Sequence, residues 1–362
     1  MEEKLSILML GPNPEMPGGV TSYIGALTRH LQRSTVDCFY VGSSEANKNF
    51  VAVAFRLLRV PFQVARHVRR KPPDVIHINP SFDKKSLIRD GLILLALRWA
   101  GYRRILVFIH GWDADVARMI NASPFLYGLL NYVLSPVARI AVLAPGFKST
   151  LMDMGLNGHK IVVKTTMFDP ITLPDFTLPA RPYILFMSRF DRRKGMYELL
   201  EAFSRIAEEY PNINVVMAGD GQEMNALKTK AAQLGLKTRV RFSGYVTGDD
   251  KARLLQGCSI YALPTYYPEG MPIALLEAMA AGKPLLTANA GGVRHIVHEP
   301  ENGLVLQAVT VDSVEAGLRR MLADPTFCDT VGRRNAAYAQ RFSASKVSAE
   351  IESLYQDIAR SG

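Results

Sequence analysis

In the stretch Pro268-Glu269-Gly270-Met271-Pro272-Ile273-Ala274-Leu275-Leu276-Glu277, two glutamates stand eight residues apart on either side of a proline. Pro272 suits the first turn of a helix, where a missing N–H costs nothing, and Gly282 with Pro284 marks a stop. Glu269 is therefore expected in the loop before a helix and Glu277 more than a turn inside it. The loop offers backbone N–H groups and one carboxylate, and the helix N-terminus adds partial positive charge. That set suits a hydroxyl-rich ligand carrying negative charge, such as a sugar nucleotide. A hydrolytic pair would face across one bond about 5–10 Å apart, so these two glutamates better hold two ends of one extended ligand. Taken alone, the same spacing also fits a solvated loop and a helix surface.

Other residues could share such a ligand. Arg189 and Lys194 lie in Ser188-Arg189-Phe190-Asp191-Arg192-Arg193-Lys194-Gly195, after an apolar run and ahead of a helical one. Cations at a strand's carboxyl end match the fixed geometry of phosphate oxygens, although four basic residues in six also fit a solvated loop. Neither cation lies on an apolar face, so each is expected to be dispensable for folding. Gly219-Asp220-Gly221 permits close backbone approach. Gly18-Gly19, ahead of a helix, could cradle phosphate through N–H groups or simply turn the chain. His110 follows five apolar residues and precedes Gly111, which fits either a cleft residue or a strand-capping histidine. Asp113 and Asp115 nearby could orient its ring, contact an acceptor or cap a helix.

The elements that must position these groups alternate along the chain. Apolar runs at 5–10, 75–78, 105–109 and 140–143 are separated by helical patterns, including one from about Val20 to Leu31. Between Asp169 and Pro182, four prolines and little periodicity read as a linker. The alternation restarts with strands at 183–187, 214–218, 240–242 and 260–263, and helices at 196–209 and 223–234. Fully apolar strands in strand–helix alternation predict α/β architecture with parallel sheets. Two doubly wound, Rossmann-like domains are expected, 1–172 and 173–342, with a ligand cleft at their carboxyl strand edges. A length of 362 residues and 48% hydrophobic content suit two ordinary globular domains. Cys38, Cys258 and Cys328 have no metal-type or redox-type spacing, which points to a reducing compartment. The N-terminus lacks a signal-peptide pattern, and the apolar stretch Leu92–Ala100 is too short to span a bilayer.

The ordered set of Gly18-Gly19, His110-Gly111-Trp112-Asp113, Arg189 with Lys194, Gly219-Asp220-Gly221, Gly244-Tyr245-Val246 and Glu269 with Glu277 resembles the retaining glycosyltransferases of family 4, glycosyl transferases group 1, of GT-B fold. The resemblance extends over almost the whole chain and is most specific in its second half. It implies transfer of a sugar from a nucleotide-sugar donor in polysaccharide or glycolipid synthesis. By resemblance, Arg189 and Lys194 bind the donor diphosphate, and Glu269 with the backbone of Gly270, Met271 and Pro272 holds sugar hydroxyls. Glu277 would hold the ribose, Tyr245–Val246 the base, and His110 would lie beside the reacting sugar. In this family, members selective for guanine tend to carry an acidic residue soon after the G-x-V motif. Here Thr247-Gly248 come first and Asp249-Asp250 later, so a uridine donor is favoured. No cofactor is implied and no dedicated metal is expected, because Arg189, Lys194 and a helix N-terminus can stabilise the departing charge. The resemblance further implies that the last helix, within 343–362, packs back on the first domain. A nucleotide-sugar epimerase, a transferase with a soluble acceptor and a non-catalytic binding protein of the same fold are the rival readings.

Charge is uneven. Through Pro170 there are 21 Lys and Arg against 12 Asp and Glu, and beyond it 22 against 21. The segment 55–71 mixes apolar positions with six cations around Pro61, which is expected to break its helix, and 125–137 is an uncharged apolar helix candidate. Together they suit an acceptor-binding first domain that meets an anionic membrane surface and a lipid-linked acceptor. A core helix with a solvated basic face fits the same residues. No nucleic-acid motif is present, and nucleic acid is not an expected partner. The expected location is the cytoplasm, with a peripheral position on the inner face of the cell membrane.

Overall fold

The computed structural model describes residues 4–16, 18–41, 50–169, 177 and 181–361. Most of the Asp169–Pro182 linker and the 172/173 boundary lie outside the described residues. Two compact units are present, Met1–Met167 with Ala344–Gly362, and Phe168–Ser343.

The first unit runs β1 Leu5–Gly11, α1 Gly19–His30, β2 Ser34–Tyr40, α2 Phe50–Arg70, β3 Val75–Ile78, β4 Ser81–Phe82, α3 Lys84–Trp99, β5 Ile105–Ile109, β6 Gly111–Trp112, α4 Ala114–Asn121, α5 Pro124–Leu134, β7 Arg139–Val142, α6 Pro145–Asp153 and β8 Ile161–Val163. Six strands form a parallel sheet in the order β2-β1-β3-β5-β7-β8, and β4 pairs with β6. The second unit runs β9 Tyr183–Met187, α7 Met196–Ile206, β10 Asn214–Ala218, α8 Met224–Gln233, β11 Val240–Gly244, α9 Gly248–Gly257, β12 Ile260–Leu263, α10 Ile273–Ala280, β13 Leu285–Ala288, β14 Gly303–Leu306, α11 Val311–Ala323 and α12 Pro325–Ala339. Its parallel sheet has the order β11-β10-β9-β12-β13-β14. Both sheets are doubly wound. The all-apolar strands β5 and β9 are buried at every position, as strands covered by helices on both faces must be.

The helix of the basic segment is not broken. α2 continues through Pro61. Proline removes one N–H bond but its fixed φ is helical, and Pro61, Val64 and Val68 are buried on the side that packs on α3. Opposite them, Phe55, Leu58, Arg59, Phe62, Arg66, Arg69 and Arg70 are exposed along a single face at helical spacing.

The last helix, α13 Ala344–Arg360, packs on α1, β3 and β5 of the first unit. Its Glu352 carboxylate accepts from the backbone N–H groups of Gln32 and Arg33 at 3.2 and 2.6 Å, closing the end of α1. Its Tyr355 hydroxyl is hydrogen-bonded to His77 Nδ1 at 2.6 Å in the core. Burial pushes His77 down to about 3, with a smaller contribution from His110. The unfolded chain protonates this histidine below about 6.5 and the folded one resists protonation to about 3. Its contribution is therefore complete above about 6.5 and is lost as pH falls from there towards about 3. Urea midpoints measured between about pH 7 and pH 5, above most carboxylate titration, should fall with acidification, and less steeply in His77→Asn. Equal slopes in both proteins would remove His77 as the source.

Candidate active site

In the second unit the strand order reverses between β9 and β12, and in such sheets a crevice opens at the carboxyl ends of the two strands. The turn after β9 carries Arg189 and Lys194, and the loop after β12 carries Thr265 to Met271. Gly195 brings the two together. It has φ +76°, and a Cβ there would lie 1.9 Å from the Pro264 carbonyl oxygen, so only glycine fits. The Tyr266 N–H donates to the Arg193 carbonyl at 2.9 Å and ties the segments. As a result Lys194 and Glu269 form an ion pair in which both residues are buried, at 7% and 8% exposure. Thr265 Oγ1 donates to the same Glu269 oxygen at 3.1 Å. The Tyr267 ring underlies the cations, 4.4 Å from Lys194 Nζ and 5.6 Å from the Arg189 guanidinium. Arg189 itself is exposed.

The loop continues into α10. Pro272 is its N-cap rather than its first helical residue, with ψ 114°, and Gly282 ends it at φ +71°. The backbone N–H groups of Gly270 and Met271 have no acceptor among the described residues. They stand ahead of an eight-residue helix that lacks a side-chain cap, so this end can receive an anion or a hydroxyl. Two residues that sequence reasoning missed hold the loop in place. A Cβ on Gly291 would lie 2.1 Å from the Glu269 carbonyl oxygen, and one on Gly292 would lie 1.6 Å from that of Gly270. The Gly292 N–H donates to the Glu269 carbonyl at 3.0 Å. The two adjacent glycines were the only sequence signal for this clamp.

Glu277 lies inside α10 and pairs with Lys251 of α9 at 2.5 Å, another partner that spacing did not reveal. Tyr245 and Val246 lie just before α9, with Tyr245 exposed, so Lys251 links their helix to Glu277. Gly219 and Gly221 serve packing. Their added Cβ atoms would meet the carbonyl oxygens of Ser188 and Phe190 at 1.9 and 2.5 Å, against the Arg189 turn. The Gly219 N–H is already given to Gly244 at 2.7 Å. Among the described residues, no group of three His, Cys, Asp or Glu side chains converges as a metal site.

In the first unit Gly18 is the N-cap of α1 and Gly19 its first residue, with no side-chain cap. Asp113 caps α4, accepting from the N–H groups of Asp115 and Val116, and does not orient His110. That task falls to Asn79, after β3. Its Nδ2 donates to the Leu10 carbonyl at 3.0 Å, which turns Oδ1 towards His110 Nε2 at 2.9 Å. His110 Nε2–H therefore donates, which assigns the tautomer from the network. The ring stacks on Phe108 at 4.4 Å and meets Tyr23 of α1 at 4.5 Å. Burial pushes His110 down to about 3, so it is neutral at physiological pH.

Residues 176–338, most of the second unit, match the family of glycosyl transferases group 1. A phosphatidyl-myo-inositol mannosyltransferase of Mycolicibacterium smegmatis is 28% identical over 96% of this chain and 92% of its own length. An uncharacterized glycosyltransferase of Methanocaldococcus jannaschii is 31% identical over 48% of this chain, and the match spans 44% of that protein. The sucrose-phosphate synthase of Thermosynechococcus elongatus superposes with TM-score 0.81 over 99% of this chain and 100% of its own, at 19% identity. The chain has a GT-B fold, and its second unit is related to this family. Anabaena HepE, solved with UDP-glucose, superposes with TM-score 0.75 over 98% of this chain and 100% of its own, at 19% identity.

The second unit thus gathers Arg189, Lys194, Glu269, Gly270, Met271 and Pro272 at the β9–β12 reversal, with Glu277, Tyr245 and Val246 joined through Lys251. Contrary to the solvated turn that the sequence suggests, Lys194 is buried and paired, so its removal is expected to cost stability. Removing one member of a buried pair strands the other charge and costs about 3–5 kcal/mol, whereas Arg189→Ala, at an exposed site, should stay within about 0.5 kcal/mol. Urea unfolding of Lys194→Ala, Arg189→Ala and the double variant Lys194→Met/Glu269→Gln should order them as least, most and intermediate in stability. A Lys194→Ala midpoint equal to that of the unaltered protein would contradict the buried pairing.

Proposed function

We propose that the chain transfers a sugar from a nucleotide-sugar donor to a lipid-linked acceptor with retention of configuration. The observation that carries this reading is the convergence at the β9–β12 reversal of a buried cation–carboxylate pair, an exposed arginine and two backbone N–H groups without an acceptor among the described residues. Arg189 and Lys194 take the diphosphate, Glu269 with the Gly270–Met271 backbone takes the sugar hydroxyls, Glu277 takes the ribose, and Tyr245–Val246 meets the base. The second unit is the donor side and the first the acceptor side, whose Gly18–Gly19 turn suits a phosphate and whose His110 suits a sugar hydroxyl. In the transfer step the bond from the anomeric carbon to the diphosphate oxygen breaks, and the acceptor oxygen bonds to the same face. The acceptor proton passes to the departing diphosphate. Fixed cations and N–H donors stabilise that developing charge.

Uridine is the favoured base, since Asp249 and Asp250 fall in the first turn of α9, with Asp250 paired to Arg253, instead of directly after the Tyr245–Val246 turn. A guanosine donor is the second reading. A relative from Mycolicibacterium smegmatis, 23% identical over 90% of this chain and 91% of its own length, is a GDP-mannose-dependent phosphatidylinositol monomannoside mannosyltransferase. Incubation with a panel of UDP- and GDP-sugars, with and without lipid acceptors, tests the reading. Product only in the presence of acceptor supports transfer, and an altered free sugar nucleotide without acceptor supports an epimerase. In the same assay Arg189→Ala should lower turnover by about 10²–10³. Glu277→Ala should weaken nucleotide binding by about 1–3 kcal/mol in calorimetry. Unchanged values for both variants would sink these assignments.

The acceptor reading is supported by the mixed face of α2, where Phe55, Leu58 and Phe62 alternate with Arg59, Arg66, Arg69 and Arg70. Among the described residues no helix is long and apolar enough to cross a membrane. An interfacial helix with aromatic and cationic groups on the same exposed face binds at the headgroup boundary, and each cation near an anionic bilayer contributes about 1 kcal/mol. Co-sedimentation with phosphatidylglycerol-containing vesicles should weaken with salt and drop in Arg59→Glu/Arg66→Glu. Equal partition onto neutral vesicles would favour a soluble acceptor.

A further inference from the structure

A cavity of about 380 Å³ lies inside the first unit, bounded by α3, α4, α5 and β5. That volume falls within the range of small-molecule pockets, about 300–1,000 Å³. Its wall is hydrocarbon from side chains such as Leu94, Ile109, Val116 and Val133. The charged side chains that reach it are Lys84 and Asp90, and Asp90 is neutralised by Arg89 through two bonds of 2.8 and 2.7 Å. A sugar or nucleotide placed there would leave hydroxyls without partners, at a cost no neighbouring group offsets. A hydrocarbon chain would not.

Two parts of the cavity's lining point to the same occupant. Its lining includes Pro80 and Ser81. The Pro80 carbonyl accepts the His110 N–H at 2.9 Å, and Ser81 pairs with Gly111 in the β4–β6 ladder. At the rim, Ile88, Met119 and Leu129 are exposed, at 59%, 38% and 43%. Ile88 stands on α3, against which α2 packs. Lys84 lines the cavity and the adjacent Lys85 is exposed, so the cation there suits an anionic group joined to the chain. We propose that this cavity binds a hydrocarbon chain of the lipid acceptor, holding it between the membrane-facing helices and the Pro80 turn beside His110. The proposal rests on the lipid-acceptor reading above and names which part of that acceptor the first unit grips.

Gly91 provides the test. It lines the cavity in mid-α3, and a Cβ there meets nothing within 4 Å. Gly91→Phe, or the smaller Gly91→Leu, should therefore fill the space without a backbone clash, and replacing a helical glycine favours the helix. Calorimetric titration with dodecyl phosphate below its micellar concentration should give saturable binding, tighter than that of butyl phosphate or inorganic phosphate. Gly91→Phe should weaken it by at least about tenfold, because excluding two methylenes from an apolar pocket already has that effect. Its thermal unfolding should be unchanged, with Gly91→Leu giving the same order of effect if the larger residue disturbs the fold. Dodecyl phosphate bound no tighter than butyl phosphate, or equally by unaltered protein and both variants, would overturn the proposal. So would a dimer in sedimentation that Gly91→Phe converts to monomer, since a second copy would then occupy the cavity. Parallel titration with UDP and GDP separates the two readings. Loss of nucleotide binding by the unaltered protein counts against the transferase assignments alone, and intact nucleotide binding without chain binding counts against the cavity alone.

Discussion

A lysine and a glutamate are held together away from water where β9 and β12 diverge, and the tightest backbone contacts around that reversal serve the arrangement. Desolvating the two charges costs several kcal/mol each, and their attraction offsets this only when the partners are held at close range. Backbone contacts that admit no side chain meet the requirement. Gly195 lies against the Pro264 carbonyl, Gly291 and Gly292 lie against the Glu269 and Gly270 carbonyls, and Gly219 lies against that of Ser188. Each contact fixes one loop against another, so the Lys194 turn, the Glu269 loop and the N-terminus of α10 form a single rigid unit. Thr265 adds a neutral hydrogen bond to the carboxylate, and Tyr267 a π face beneath the lysine. A buried ion pair is a poor route to stability, because an apolar pair of similar volume often does as well.

How much of this was legible in the sequence follows from the range of each interaction. β9 and β12 could be read to the residue, because a fully apolar run bounded by polar turns admits one burial pattern, and β10 differs only in starting at the half-buried Asn214. The parallel, doubly wound architecture followed from those runs and the helical patterns between them. Pro61 misled, since a proline inside a helical pattern ordinarily signals a break. The packing of Val64 and Val68 on α3, which carries the helix through, is set by residues beyond the local window. Within the site, Glu269, Lys194 and Glu277 stood out as individual residues. Their partners did not, because Lys194–Glu269 is a contact over 75 positions and Lys251–Glu277 one over 26. Asn79 was equally hidden, 31 residues from His110 and without a motif around it. The mismatch at Lys194 is instructive: a basic turn looks solvated in sequence, and only the fold reveals which of its cations is drawn inside.

His110 limits what chemistry the first unit can contribute. A ring packed between Phe108 and Tyr23, with a pKa near 3, has too little affinity for a proton to act as an efficient base at neutral pH. Its Nε2–H is committed to Asn79, and Asn79 is in turn committed to the Leu10 carbonyl, so the ring cannot switch tautomer without breaking two hydrogen bonds. What such a histidine offers is a hydrogen-bonding edge in a fixed position, at the carboxyl end of β5. That suits orienting a sugar hydroxyl and does not suit removing a proton from an acceptor. If the acceptor proton cannot go to His110, another base must receive it. In the proposed reaction the departing diphosphate is the anion nearest the bond being made, and the cations and N–H donors of the second unit leave it the task of accepting that proton.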